Sequence, residues 1–232
     1  MKLMTRWKIF WMSITICTIL LVYALNKGFI LSKNNYIWPA IIFFIGEYIS
    51  LGLAHKFASY NHQITKNPIS FLGQLNAKGK SNVKSAVLFI GFSISYGGIV
   101  FLLANLISTM YPNNVYLIII SYVLLGVVVA VIMMTLIPID VSRILHLFAT
   151  AFWLGLYLGA NIAIVNFLFY IQQFNITIPS YYLVACGFHI ISAIIYLIAY
   201  FTHYRASLFQ KIWIFASNIS LLFTIDLFAR LL

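Results

Sequence analysis

The chain has 232 residues, of which 63% are hydrophobic and 7% charged, and its mean hydropathy is +1.02. Such values exclude a soluble globular protein and indicate a single integral membrane domain over residues 1–232. The 14 Lys and Arg residues against 3 Asp and Glu give a net charge of +11. Because the basic residues lie between apolar runs, we interpret them as orientation signals that contact anionic headgroups, and we expect no nucleic-acid partner.

The first apolar run is Ile9–Leu25, which follows three basic residues near the start of the chain. It is either a first spanning helix or a signal-type segment with a small-residue cleavage site at Val22-Tyr23-Ala24. We favour a retained anchor, because no secreted domain follows it. A second span is expected at Tyr36–Ala54, with Glu47 a little past its middle.

The longest polar stretch, residues 55–84, has five lysines and no acidic residue. We expect it to form a basic cytoplasmic loop on the membrane surface, where lysines attract anionic lipid headgroups. Within it, Pro68 restricts the residue before it to extended geometry and Gly73 permits a turn. The segment Asn67–Gly73 is therefore expected to be structured rather than a free linker.

Five further apolar runs are each long enough to cross a bilayer, which requires about 20 helical residues. They are Ser85–Ser108, Val115–Ile137, Val141–Tyr170, Tyr181–Phe201 and Ile212–Leu231. The fold expected is thus an all-α polytopic transmembrane helix bundle with seven spans, or six if the first is cleaved. An inside N-terminus and an outside C-terminus place eleven of the 14 basic residues on the inner side, as the positive-inside rule requires.

The junction before the fifth span and the first turns of that span carry the candidate catalytic residues Asp140, Ser142 and His146. Ser142 and His146 lie four residues apart on one helix face, and they match the SxxxH of membrane hydrolases related to alkaline ceramidases. The chain lacks the late HxxxH of those enzymes, so no metal site is expected. Spacing of four residues also points the two side chains side by side rather than toward each other. Asp140 could instead cap the fifth helix or pair with Arg143.

Polar and aromatic residues share one face of the fifth span, where the candidate ligand-binding residues are His146, Trp153 and Tyr157. Gly155 and Gly159 form a GxxxG pair on another face, which we interpret as ordinary packing against a neighbouring helix of the same chain. Glu47 and His189 lie at similar depths in the second and sixth spans. They complete the candidate ligand-binding set and could pair across the bundle, as a structural hydrogen bond or as a proton-linked couple.

The order of features resembles the bacterial membrane family catalogued as domain of unknown function 998. The resemblance rests on the segment Asn67–Gly73, the Gly91 that follows the start of the next helix, and the junction proline Pro138 followed by His146. It covers roughly Trp38 to the C-terminus and leaves the first span as an extra. It implies a six-helix bundle, and it implies no reaction because that family has no established activity.

These observations favour a non-enzymatic protein of a bacterial cytoplasmic membrane that binds a lipid, an amphiphile or a membrane partner, which could be a second copy of the chain. Protection against a membrane-active peptide is one such role. The alternatives are an intramembrane lipid hydrolase or transferase that uses Asp140, Ser142 and His146, and a proton-coupled transporter that uses Glu47 and His189. No cofactor is expected.

Overall fold

The computed structural model describes residues 19–20, 23, 35–63, 65–174, 176–202 and 205–231. The expected first span, Ile9–Leu25, lies outside these residues except at positions 19, 20 and 23. From residue 35 onward the described residues form six long helices. They are α1 (Ile37–Lys56), α2 (Val83–Met110), α3 (Val115–Leu136), α4 (Arg143–Gln172), α5 (Ser180–Thr202) and α6 (Ala206–Arg230).

All six helices are long and apolar enough to cross a membrane: they have 20 to 30 residues, and their most apolar stretches have mean hydropathies from 1.7 to 3.0. The expectation of an all-α, multi-pass membrane protein is therefore confirmed, with six such helices in the described part of the chain. The bounds agree closely with the predicted runs except at α6. This helix begins at Ala206 rather than Ile212, because polar residues of its first turns bind a neighbouring loop instead of ending the helix.

The helices pack in an antiparallel bundle in which most neighbours in sequence are neighbours in space. The most extensive contacts join α1 to α2, α2 to α3, α3 to α4, and α5 to α6, while α6 also packs against α2 and α1. By contrast, α4 and α5 make few contacts with each other. Large aromatic side chains fill the centre, among them the fully buried Trp213, Tyr96 and Phe228.

Three connections lie together at one end of the bundle, which we call the basic end. Hydrogen bonds join the long connection between α1 and α2 to the α3–α4 turn, through Leu75 and Asp140, and to the start of α6, through Ile69 and Gln210. At the opposite end, Tyr36 donates to Asn105 Oδ1 over 2.7 Å. Alternating helix directions therefore place the loop lysines, Arg143, Arg205 and Lys211 at one end.

The connection between α1 and α2 is structured. It contains a 3-10 helix (Ile69–Gly73) and an antiparallel pair of two-residue strands, β1 (Asn76–Ala77) and β2 (Lys80–Ser81). Asn82 Nδ2 donates to the carbonyl oxygens of Leu72 and Gln74, at 3.3 and 3.0 Å. Ile69 and Leu72 are buried, so the 3-10 helix is packed onto the bundle rather than lying free on the membrane surface.

Candidate functional site

A cavity of about 590 Å³ lies between α4 and α5 at the basic end, and we call it the α4–α5 cavity. It forms where these two helices separate, so that the side chains of each face a space instead of each other. Its walls are mainly apolar, with a few polar groups near the loop. The lining residues from α4 are Arg143, His146, Leu147, Thr150, Ala151 and Leu154; those from α5 are Tyr196, Leu197, Tyr200 and Phe201.

The 3-10 helix segment covers the loop side of the cavity, where Pro68, Ser70 and Phe71 contribute to the lining. It is held there by the first turns of α6. Gln210 Oε1 accepts from the backbone N–H of Ile69 over 3.1 Å, and Lys211 Nζ donates to the backbone oxygen of the loop residue Asn67 over 2.8 Å. These polar residues of α6 therefore position the cover of the cavity.

His146 is one of the residues that line the α4–α5 cavity. Its side chain is only 2% exposed, and Nδ1 lies 2.8 Å from the carbonyl oxygen of Ile137. Because a carbonyl oxygen can only accept, Nδ1 carries the hydrogen, and in the neutral ring Nε2 is left as an acceptor. Nε2 is buried and has no hydrogen-bond partner among the described residues. Because Nε2 has almost no accessible surface, it is not open to a ligand in the cavity.

The three candidate catalytic residues are not joined by side-chain hydrogen bonds into one site. The Asp140 carboxylate accepts from the backbone N–H groups of Leu75 and Asn76, the shortest contact being 2.9 Å. It therefore neither caps α4 nor pairs with Arg143, contrary to the two interpretations of the sequence. Ser142 precedes α4 without making a side-chain capping bond. Among the described residues, no side-chain hydrogen bond joins any two of Asp140, Ser142 and His146.

The other candidate binding residues lie in a second polar region, along α6 in the centre of the bundle. Asn218 Nδ2 donates to Glu47 Oε1 over 2.7 Å, and Trp213 Nε1 donates to His189 Nε2 over 3.1 Å. Glu47 and His189 thus do not pair with each other, although the sequence allowed such a pair. Each is bound by a different residue of α6. Both side chains are fully buried, and neither lines the α4–α5 cavity.

The polar face of α4 is also used to bind α6. Tyr157 donates to the backbone oxygen of Ser217 over 3.0 Å, and Asn161 donates to Ser220 Oγ over 2.8 Å. Trp153 packs between the rings of Tyr96 and Trp213. Trp153 and Tyr157 are therefore interior contacts between helices, and of the five candidate ligand-binding residues only His146 lines the cavity.

The glycine face of α4 does not pack against the described residues of this chain. A Cβ atom built at Gly155 or Gly159 meets no heavy atom within 4 Å. Both residues are exposed. None of the described helices α1 to α6 is therefore the packing partner that the interpretation of this GxxxG pair expects, and the interpretation stays a prediction.

A pair of histidines at the basic end was not assigned a role from the sequence. His62 is 5% exposed, and its Nε2 donates to the carbonyl oxygen of Pro68 over 3.3 Å, so its Nδ1 accepts from His55 Nδ1 over 3.2 Å. Burial lowers the pKa of His62, and the positive charge of nearby Lys211 and the neighbouring His55 lower it further, while the bond to Pro68 opposes them. Neutral His62 thus helps to anchor the segment that covers the cavity.

Sequence reasoning selected His146 but missed the residues that complete the cavity. Tyr196 and Tyr200 come from the sixth expected span, in which only His189 was chosen as a candidate, and Gln210 comes from the stretch that was expected to connect the sixth and seventh spans. The two tyrosines are four positions apart, and this spacing was the available signal for a shared helix face. Within the described ranges, no group of three or more His, Cys, Asp or Glu side chains is placed to hold a metal ion.

Comparisons with protein-family models, with curated proteins and with solved structures found no match to this chain. The resemblance to the family of unknown function 998 stays a prediction.

Proposed function

We propose that this chain is a multi-pass protein of a bacterial cytoplasmic membrane that binds a lipid or another small amphiphile in the α4–α5 cavity, without catalysing a reaction. The observation that carries the proposal is a mainly apolar cavity of about 590 Å³ between two membrane-crossing helices. Ligand pockets typically have about 300–1,000 Å³ and combine apolar walls with a few polar groups. By holding an amphiphile, the protein would protect its cell from a membrane-active compound such as a peptide.

The position of the cavity favours a ligand that arrives from the bilayer. Ala151 on α4 and Phe201 on α5 both line the cavity and are exposed on the surface of the bundle. Because α4 and α5 make few contacts with each other, a ligand from the bilayer would enter between them. An acyl chain can therefore pass from lipid to the cavity without crossing a polar region.

The arrangement of polar groups favours binding over the alternative of hydrolysis or group transfer. A general base must lie within hydrogen-bond reach of the proton that it removes. The Asp140 carboxylate is bound by loop amides, and the hydroxyl of Ser142 is not bonded to His146. Proton-coupled transport is less favoured too, because Glu47 and His189 lie outside the cavity and bind separate residues of α6.

We further propose that the basic end faces the cytoplasm and that Ile9–Leu25 supplies a seventh span. The clustering of Arg143, Lys211 and the loop lysines at one end supports this orientation through the positive-inside rule. Lysines of the loop would then contact anionic headgroups of the inner leaflet.

The proposal is tested by filling the cavity. Ala151→Trp adds a large side chain at an exposed lining position, so it should occupy the cavity with little effect on folding. Ile144→Trp is the matched control, because Ile144 lies on the same helix, is 81% exposed and does not line the cavity. Native mass spectrometry should detect a bound amphiphile on the wild type and on the control, and lose it in Ala151→Trp. Equal occupancy in all three proteins would refute the proposal.

A further inference from the structure

Glu47 lies in the interior of the bundle without a cationic partner. It is the eleventh of the 20 residues of α1, and its side chain is fully buried. The described Lys and Arg residues lie in the connections or within two turns of a helix end, and the ion pair recorded among them joins Arg230 to Asp226. Ionised Glu47 would therefore be an unpaired charge deep in the bundle, and proteins avoid such a charge by neutralising the group.

The contacts of α1 place the carboxyl group away from both lipid and solvent. The buried residues of α1 are Ala40, Glu47 and Ala54, which are spaced by seven positions and so lie along one face of the helix. The alanines let the α1 backbone lie close to its neighbours, while Glu47 extends to Asn218 on α6. The carboxyl group is thus enclosed where α1 meets α6.

The hydrogen bonds around Glu47 leave a place for one more hydrogen. Oε1 accepts from Asn218 Nδ2 over 2.7 Å. Within the described chain, Glu47 Oε2 and Asn218 Oδ1 are buried and have no hydrogen-bond partner. Both atoms are acceptors when Glu47 is ionised, so they cannot bond to each other, whereas a proton on Oε2 turns that oxygen into a donor. One hydrogen would thus satisfy two buried atoms that the ionised form leaves unpaired.

The titratable groups that face Glu47 bring no positive charge. Tyr48 is its neighbour on α1, and Tyr96 faces it from α2. Tyr96 donates to Ser217 Oγ over 3.4 Å, and no recorded hydrogen bond of the described residues joins either phenol to Glu47. On α6 the facing group is the uncharged amide of Asn218. Apart from one amide N–H, nothing in this part of the chain offsets a negative charge on Glu47.

We propose that Glu47 is a buried proton-binding site, in which Oε2–H donates to Asn218 Oδ1 while Asn218 Nδ2 donates to Oε1. The carboxylic acid and the amide then form two antiparallel hydrogen bonds between α1 and α6. An exposed glutamate is ionised at neutral pH, so the chain takes up one proton from water as it folds. The bound proton needs no opening in the folded surface. This site is separate from the α4–α5 cavity and does not depend on its ligand.

Infrared spectroscopy of the full chain in dodecyl maltoside tests the proposal, because the C=O stretch of a protonated carboxyl group is separate from the bands of carboxylates and peptide groups. The detergent has no carbonyl group. The chain has three acidic residues, so a band can be assigned with single variants. At about pH 7 an ordinary glutamate with a pKa of about 4.3 is protonated in about one molecule in 500. We expect the wild type to show instead the band of about one protonated carboxyl group per chain.

Two variants assign the band to Glu47. Glu47→Gln should lose it. The matched control Asp226→Asn, which removes a carboxyl group away from α1, should keep it. A wild-type spectrum without the band, or a band that survives in Glu47→Gln, would overturn the proposal.

The frequency of the band tests the pairing with Asn218. A carboxylic acid whose C=O accepts and whose O–H donates absorbs at a lower frequency than a free acid. Asn218→Leu should therefore shift the band to higher frequency without removing it, and an unshifted band would refute Asn218 as the partner. If this variant fails to fold, the wild-type band decides the same point, because a band at the frequency of a free acid would show that the pair does not form.

Discussion

The contact between Glu47 and Asn218 offers a stability test deep in the bundle. Glu47 Oε1 accepts from Asn218 Nδ2 over 2.7 Å, and both side chains are fully buried. The remaining oxygens, Glu47 Oε2 and Asn218 Oδ1, have no assigned partner among the described residues. A Gln at position 47 could accept from Asn218 with its oxygen and donate to Asn218 Oδ1 with its amide. Glu47→Gln should therefore preserve or raise the free energy of unfolding.

The same pair predicts a double-mutant cycle. Glu47→Leu or Asn218→Leu alone leaves a buried polar partner without its bond, and we expect each to lower the free energy of unfolding by about 1–3 kcal/mol. Replacing both residues by Leu removes the pair together, so the double variant should be less destabilised than the sum of the two. The coupling energy expected is about 1–2 kcal/mol, near the upper end for hydrogen bonds between membrane helices.

The free energies are measured by reversible unfolding of the purified protein in mixed detergent micelles, with loss of helical circular dichroism as the signal. A coupling energy of zero would refute the contact between α1 and α6. A Glu47→Gln variant as unstable as Glu47→Leu would show that the carboxyl group is needed for more than this hydrogen bond.

Three further predictions concern the loop and the outer face of α4. Burial lowers the pKa of His62, so the unfolded chain binds a proton at a pH where the folded chain does not. The anchoring of residues 66–73 should therefore be complete above about pH 6.5, the ordinary pKa of histidine. It should weaken as the pH falls from there through the lowered pKa of His62. Hydrogen exchange in this segment, corrected for intrinsic rates, should therefore rise between about pH 7 and about pH 5 in the wild type and stay flat in His62→Gln. Asp140→Ala should speed hydrogen exchange of the Leu75 and Asn76 amides, because they lose the carboxylate that accepts from them. Exchange in the helices should stay unchanged. Faster exchange throughout α4 would contradict the role of Asp140 as an acceptor for the loop. Gly155→Ala should raise the free energy of unfolding by about 0.5–1 kcal/mol, because the added methyl group meets no atom of the described residues and removes backbone freedom. A loss of stability in the purified protein would show instead that this face is packed.

The sequence was sufficient to locate the helices but not to identify the residues that they contact. Runs such as Val115–Ile137 are apolar over a length that matches a bilayer, so the spans could be located to within a few residues. The start of α6 was missed because Gln210 and Lys211 resemble the residues of a connecting loop. Their helical state depends on bonds to Ile69 and Asn67, which are distant in sequence.

For the candidate site too, the sequence identified important residues but not the residues that bind them. The cost of burying polar groups in a membrane identified Glu47, His146 and His189 as residues with partners to find. It could not identify those partners, because the face of α6 that carries Trp213 and Asn218 is chosen by packing of the whole bundle. The cavity beside His146 arises from the separation of α4 and α5, and no local pattern in either helix encodes that separation.

The most direct test of the α4–α5 cavity is photocrosslinking in the membrane. Cells that express the full chain are supplied with a photoactivatable fatty acid, which is incorporated into their lipids, and crosslinked peptides are mapped after irradiation. Binding in the cavity predicts crosslinks concentrated at lining positions of α4 and α5, such as Leu154 and Leu197, and their loss in Ala151→Trp but not in Ile144→Trp. Crosslinks spread evenly over the lipid-facing surfaces of all the helices, and unchanged by Ala151→Trp, would contradict the account.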